Sequence, residues 1–186
     1  MNPLQIIKNY YPPKTKAYQY LTQHSEAVAA KAVETARNSG IENLDYTFIE
    51  ESALLHDIGI FLTHAPRIGC LGNNPYIMHG ILGREVLEKE GFPEHGLVCE
   101  RHIGVGLTIK DIERQKLALP RRNMTPQTTE EEIVCFADLF FSKSSDELQK
   151  PKEVQRIRKS LLKYGDDKPA VFDVWLEKFG YNALPQ

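Results

Sequence analysis

The sequence predicts an all-α fold, an irregular bundle of amphipathic helices. Apolar residues recur at three- and four-residue steps through most of the chain, and strand-like alternation is almost absent. Gly, Pro and capping residues punctuate these segments at helical lengths. With 186 residues, 41% of them hydrophobic and 26% charged, the chain is long enough to bury one core and has an ordinary globular composition. No internal repeat, low-complexity tract or linker divides it, so residues 1–186 are expected to form one domain.

The elements follow in order. A long helix is expected from about Lys14 to Asn38, where Ala17, Leu21, His24, Val28 and Ala32 form one stripe and Gly40 offers a stop. Asp45 to Ile58 predicts a second helix, ended by Gly59. The stretch from Thr63 to Pro75 is rich in Gly, Pro and Asn and reads as a loop. Tyr76 to Lys89 resumes helical spacing and stops at Gly91; Pro93 then opens a helix to His102, a position where helices tolerate proline. After a second loop at Leu119 to Pro126, Thr129 and Glu132 have the spacing of a capping box ahead of the apolar run Ile133 to Phe141. Two further helices, about Pro151 to Tyr164 and Lys168 to Phe179, close the chain.

Composition narrows the function classes. A net charge of -2 and a pI of about 6.3 supply no global basic field, so no nucleic-acid partner is indicated. The most basic stretch, Lys150 to Lys163, reads as the solvated face of an amphipathic helix. No apolar run approaches the roughly 18 residues of a membrane span, and the first residues, MNPLQIIKNYYPPK, lack the features of a secretory signal. Cys70, Cys99 and Cys135 are odd in number and form no C-x-x-C, which predicts a reducing, cytoplasmic setting without a disulfide framework. Cys99 and Cys135 precede His102 and Asp138 by three residues, yet fit small buried hydrophobes.

The chemistry lies in polar residues that interrupt apolar segments. His56-Asp57 stands in SALLHDIGIF, His24 in YLTQHSEAVA, His79 in YIMHGILG, His102 in VCERHIGVG and Asp138 in VCFADLFF. Taken alone, a histidine on an apolar helix face is usually a satisfied core residue. Six such groups together are different, because each would be costly to desolvate and a metal ion offsets that cost. A carboxylate can bridge two cations through its two oxygens, whereas an imidazole binds one, which places Asp57 in the middle and makes it the central catalytic candidate. His56, His79 and His102 are spaced at 23-residue intervals, about one helix plus one loop.

The order His24, His56-Asp57, Asp138 resembles the HD-domain superfamily of metal-dependent phosphohydrolases, and HDIG at 56–59 matches the variant that names one branch. The resemblance covers about Leu21 to Lys143, with C-terminal helices at about 151–180 beyond that core. It implies an HD-type helical bundle. His79 and His102 match the subclass that holds two divalent metal ions, iron or manganese first, with zinc, magnesium or nickel as further candidates. By that similarity one ion takes His24, His56, Asp57 and Asp138, and the other Asp57, His79 and His102. ERHIGVGLT and EEIVCFADLF also resemble uncharacterised prokaryotic HDIG proteins. Two features of relatives are missing: the lysine three residues after the Asp, where this chain has Ile60, and the Gly-Tyr-Pro motif of cyclic-dinucleotide-cleaving members.

The expected reaction is hydrolysis of a phosphomonoester or phosphodiester, on a nucleotide or small phosphorylated metabolite, by metal-activated water. Arg101, Arg84, Arg67 and Lys143 are the candidate phosphate-binding cations, each with the default reading of a solvated surface charge. His64 and His95 are spare histidines that could protonate a leaving group. No P-loop is present, so a nucleotide would enter as substrate. The competing expectation is a di-iron oxygenase acting on a small organic substrate, since the same mixed N/O ligand set suits iron and the substrate-facing lysine is absent.

Overall fold

A computed structural model describes residues 1–142 and 149–181. Among them the architecture is the expected helical bundle: α1 (Pro3–Tyr10), α2 (Lys16–Asn38), α3 (Tyr46–Leu55), α4 (His79–Lys89), α5 (Pro93–Arg101), α6 (Ile109–Gln115), α7 (Thr129–Leu139), α8 (Val154–Leu161) and α9 (Lys168–Lys178). The short helices α1 and α6 are additional to the helices the sequence predicts. The Gly/Pro-rich loop holds a two-stranded antiparallel ribbon, β1 (His64–Ala65) and β2 (Cys70–Leu71), in which His64 faces Leu71. No helix among the described residues is long and apolar enough to cross a membrane.

Local chemistry explains the helix starts. Thr15, Asp45 and Thr128 each lie just outside a helix and accept a hydrogen bond from the backbone N–H three residues on, at 3.2, 2.9 and 3.2 Å. Thr128 therefore caps α7, one residue before the expected Thr129. Its partner three positions on, Glu131, turns its carboxylate to the Gln127 N–H and to Arg101, so the expected Thr129/Glu132 box does not form. A reciprocal capping box opens α6, between Thr108 and Asp111.

The α2 stripe spans two cores. Its N-terminal part, Ala17, Tyr20 and Leu21, packs with α1, Leu55, Ile58 and Ile60. Its C-terminal part, Val28, Ala29 and Ala32, packs with α7 and with Phe172, Trp175 and Leu176 of α9. Phe136 of α7 is fully buried at the centre of this second core, with ring centroids of Phe140, Phe172 and Phe179 at 5.1, 5.5 and 5.2 Å. His24 lies on α2 between the two, where the apolar packing of both gives way to polar groups.

One expectation needs correction. The second helix does not run from Asp45 to Ile58; it ends at Leu55, with His56 as its C-cap, and Ile58–Leu62 is a 3₁₀ turn. Asp57 sits at the break, with φ -102° and ψ 13°. Gly59 is not a helix stop. An ideal Cβ there would lie 2.2 Å from the His79 carbonyl oxygen and 2.3 Å from the Gly83 nitrogen, so its role is to let the 3₁₀ turn lie directly on α4.

Candidate metal centre

Three of the histidines occupy equivalent positions. His56 is the C-cap of α3, His102 the C-cap of α5, and His79 the cap of the 3₁₀ turn Tyr76–Met78 where α4 begins. The last carbonyls of a helix lack intrahelical donors. Each ring supplies one: His56 Nδ1 to Ala53 O, His79 Nδ1 to Tyr76 O and His102 Nδ1 to Cys99 O, all at 2.7 Å. A carbonyl only accepts, so Nδ1 carries a proton in all three rings, and Nε2 is the atom of each that faces the other site residues. The same local contact, from a ring to the carbonyl three residues before it, anchors all three histidines.

Those Nε2 atoms converge on Asp57. Its Oδ1 lies 3.2 Å from His79 Nε2 and 3.3 Å from His102 Nε2. Its Oδ2 lies 3.5 Å from His24 Nε2 and 3.6 Å from His56 Nε2. Asp138 of α7 joins the second group, with Oδ1 at 3.0 Å from His24 Nε2 and 3.5 Å from His56 Nε2. The structure therefore brings together all six residues singled out in the sequence, and the two oxygens of Asp57 face two different histidine pairs. His56 stands between the pairs, its ring centroid 5.2 Å from that of His24 and 4.8 Å from that of His102.

The donor chemistry fits cations. Ligand atoms of His24, His56 and Asp138, and of His56, Asp57 and His102, lie within 4.8 Å of one another in each group, and all are buried. His79 Nε2 and His102 Nε2 are 3.2 Å apart, a separation that two bare nitrogens hold only with a proton or a cation between them. Burial lowers the basicity of His24, against the opposing pull of Asp138, which favours the neutral imidazole that metals bind. Two carboxylates and four imidazoles suit iron, manganese or zinc by ligand type.

The remaining sequence candidates lie elsewhere. Arg101 bonds Glu131 at 2.7 Å, and Arg84 bonds Glu88 at 2.6 Å and also Glu100. Arg67 is exposed in the ribbon between β1 and β2. None of the three lines the cavity beside the cluster, so their assignment to phosphate finds no support in this placement. Lys143 lies outside the described residues. His64 is exposed, while His95 packs on Phe48 and Phe92 with Nε2 3.4 Å from Glu51. The thiols serve packing: Cys99 Sγ donates to Leu55 O, Cys135 Sγ to Arg101 O, and burial pushes both well above an ordinary thiol pKa.

A cavity of about 340 Å³ adjoins the cluster, with His79 and Asp138 in its wall. Among the described residues, the cations that line it are Lys152 and Lys168, neither of them a candidate from the sequence. Lys152 lies in the basic run 150–163, whose pattern is that of a solvated helix face. Lys168 offered one signal, a cation at the first position of a helix, where the macrodipole disfavours it.

The model of the HD domain matches residues 21–141. The chain belongs to the HD domain family. An uncharacterised protein of Methanocaldococcus jannaschii is 37% identical over 139 residues, covering 73% of this chain and 70% of that protein. Two proteins named tRNA (cytidine(56)-2'-O)-methyltransferase also match. That of Thermoplasma volcanium is 36% identical over 69% of this chain, and that of Picrophilus torridus 33% identical over 76% of it. This HD chain spans only 34% and 40% of those two proteins, so most of each lies outside the match. Among solved structures, the HD domain of the Listeria monocytogenes phosphodiesterase PgpH superposes with a TM-score of 0.55 at 16% identity, over 97% of this chain and 96% of that one. The same domain in complex with cyclic-di-AMP gives 0.55 at 17% identity, over 98% and 96%. At that identity the likeness concerns the HD fold.

Proposed function

We propose that this HD protein is a metal-dependent phosphohydrolase that cleaves a small phosphate ester at a dinuclear centre. The observation that carries the reading is the division of Asp57, whose Oδ1 faces His79 and His102 while Oδ2 faces His24 and His56. In this reading His24, His56, Asp57 and Asp138 would hold one cation, and Asp57, His79 and His102 the other. Two bound divalent cations supply a water of lowered pKa and a clamp for phosphoryl oxygens.

The chain's own residues do the rest. The three carbonyl-anchored imidazoles keep their Nε2 atoms directed inward without rotamer search, which removes an ordering cost from metal and substrate binding. Burial of Asp57 and the four histidines excludes bulk water, so charge interactions there are screened less than at the surface. The adjoining cavity would take the body of the ester, entering beside His79 and Asp138. A phosphodiesterase among the structural neighbours, one form of it bound to a cyclic dinucleotide, is consistent with a phosphate-ester substrate.

The apolar share of the cavity wall favours a second reading, a di-iron oxygenase acting on a small organic molecule. The test is elemental analysis of protein purified with and without oxygen, then a phosphatase and phosphodiesterase panel beside an oxygen electrode. The hydrolase reading expects about two metal ions per chain and ester turnover that Asp57→Ala abolishes along with bound metal. Oxygen uptake by the iron form without ester turnover would replace it by the oxygenase. Turnover retained by Asp57→Ala at full metal content would remove Asp57 from the centre.

A further inference from the structure

Two lysines in the cavity wall are held by different segments of the chain. The backbone N–H of Lys152 donates to Phe140 O at 2.6 Å and its Nζ to Leu139 O at 2.9 Å, next to Asp138 in the chain. Lys168 Nζ donates to Asp111 Oδ2 at 2.5 Å and to Gly106 O at 3.4 Å. The same wall carries the apolar side chains of Leu107, Leu117, Ile157 and Leu161.

Lys168 is an unusual residue in that setting. It is 4% exposed and opens α9, so a buried ammonium stands at the positive end of a helix dipole. Asp111 is its close counter-charge, but Asp111 is shared with Arg114, whose Nη2 is 2.8 Å from Oδ1. The other carboxylate nearby, Asp167, is 3.8 Å away and largely exposed, so solvent screens it. Of the two charges that share Asp111, Lys168 is the one buried in the cavity wall, whereas Arg114 is half exposed. An ammonium has three N–H groups, and the bonds to Asp111 and Gly106 use two.

We propose that the substrate of this centre is a small, two-headed anion: a phosphate ester with an apolar spacer and a second anionic group, carboxylate or phosphate, that meets Lys168. Lys152, near Asp138, faces the phosphoryl end and supplies the cation that Ile60 does not. The proposal rests on the phosphohydrolase reading and names its substrate class. A cavity of about 340 Å³ lies at the small end of the range for ligand sites, which suits a metabolite and not a polymer. The cavity also locates specificity. Lys152, Ile157, Leu161 and Lys168 all follow residue 141, so this wall comes from outside the matched family region.

The test is calorimetric binding to the full chain loaded with manganese, using a graded series of n-alkylphosphonates and their ω-carboxy counterparts, which cannot be hydrolysed. At the matching length the carboxylated ligand should bind about tenfold tighter, the effect of one charge-assisted hydrogen bond. Lys168→Met should bring the ratio of the two affinities close to one. Lys152→Met should weaken both ligands together and leave the ratio standing. Because loss of Lys168 exposes Asp111 and could unfold the chain, Ser160→Glu, on the exposed rim of the same cavity, provides a second variant that lowers the ratio by repulsion. Equal affinities along the whole series, or a ratio unmoved by both Lys168→Met and Ser160→Glu, overturn the proposal. A ratio that behaves as expected without ester hydrolysis keeps the two-headed cavity and discards the phosphohydrolase, and hydrolysis with no ratio does the reverse.

Discussion

Replacing Gly59 by alanine should dislodge α4 and with it His79. An added Cβ would lie 2.2 Å from the His79 carbonyl oxygen and 2.3 Å from the Gly83 nitrogen, where real contacts of a Cβ begin at about 3.0 Å. Both atoms are backbone, so no side chain can rotate away, and the 3₁₀ turn and α4 must separate by roughly 1 Å or distort. The His79 Nε2 to Asp57 Oδ1 distance is 3.2 Å, and a shift of that size takes the ring out of reach. Overpacking of this kind costs about 1–3 kcal/mol. For a domain of this size that is roughly 2–12 °C in Tm. Gly96→Ala is the control, because its Cβ would sit 3.1 Å from Arg84 O and needs only a few tenths of an ångström of relief. The assays are thermal denaturation and metal content after dialysis. A Gly59→Ala protein that melts with the wild type and retains equal metal would refute the account of Gly59 as a packing contact.

Three further outcomes are expected. His79→Ala and His102→Ala should each lower bound metal from about two ions per chain towards one; plasma emission spectrometry showing no change would separate both residues from the second ion. Phe136→Ala removes the ring shared by Phe140, Phe172 and Phe179 and should cost about 3–5 kcal/mol in urea unfolding, and a loss under 1 kcal/mol would mean the core collapses around the gap. Burial raises the pKa of Glu100, and bonds from Arg122 and Arg84 more than reverse this, leaving it below the usual carboxylate range. A depressed native pKa means stability is present above the unfolded value and lost as pH falls through the folded one. Glu100→Gln should therefore flatten the fall of Tm on acidification, and an unaltered slope would exclude Glu100 from acid denaturation.

Much of the fold can be read locally. The α2 stripe, Gly40 after it, Gly91 after α4 and Pro93 at the start of α5 are signals whose physics lies within a few residues. Local pattern misleads where tertiary packing competes with it. The apolar run through Ile58 looks helical, but the chain leaves the helix at His56 because the 3₁₀ turn must lie flat on α4 through Gly59. Helices α1 and α6 are eight and seven residues long, too short to present a clear period. Arg84 and Arg101 resembled substrate cations, and only the fold shows Glu100 and Glu131 opposite them.

Residue type and order alone specify the six polar interruptions, because burying an imidazole or a carboxylate in an apolar helix demands a compensating partner wherever the chain goes. Which oxygen of Asp57 faces which pair, which nitrogen of each ring holds the proton, and which lysines reach the cavity depend on distances between segments far apart in the chain. Those distances follow from side-chain packing between helices, a property of the assembled core that no local pattern encodes.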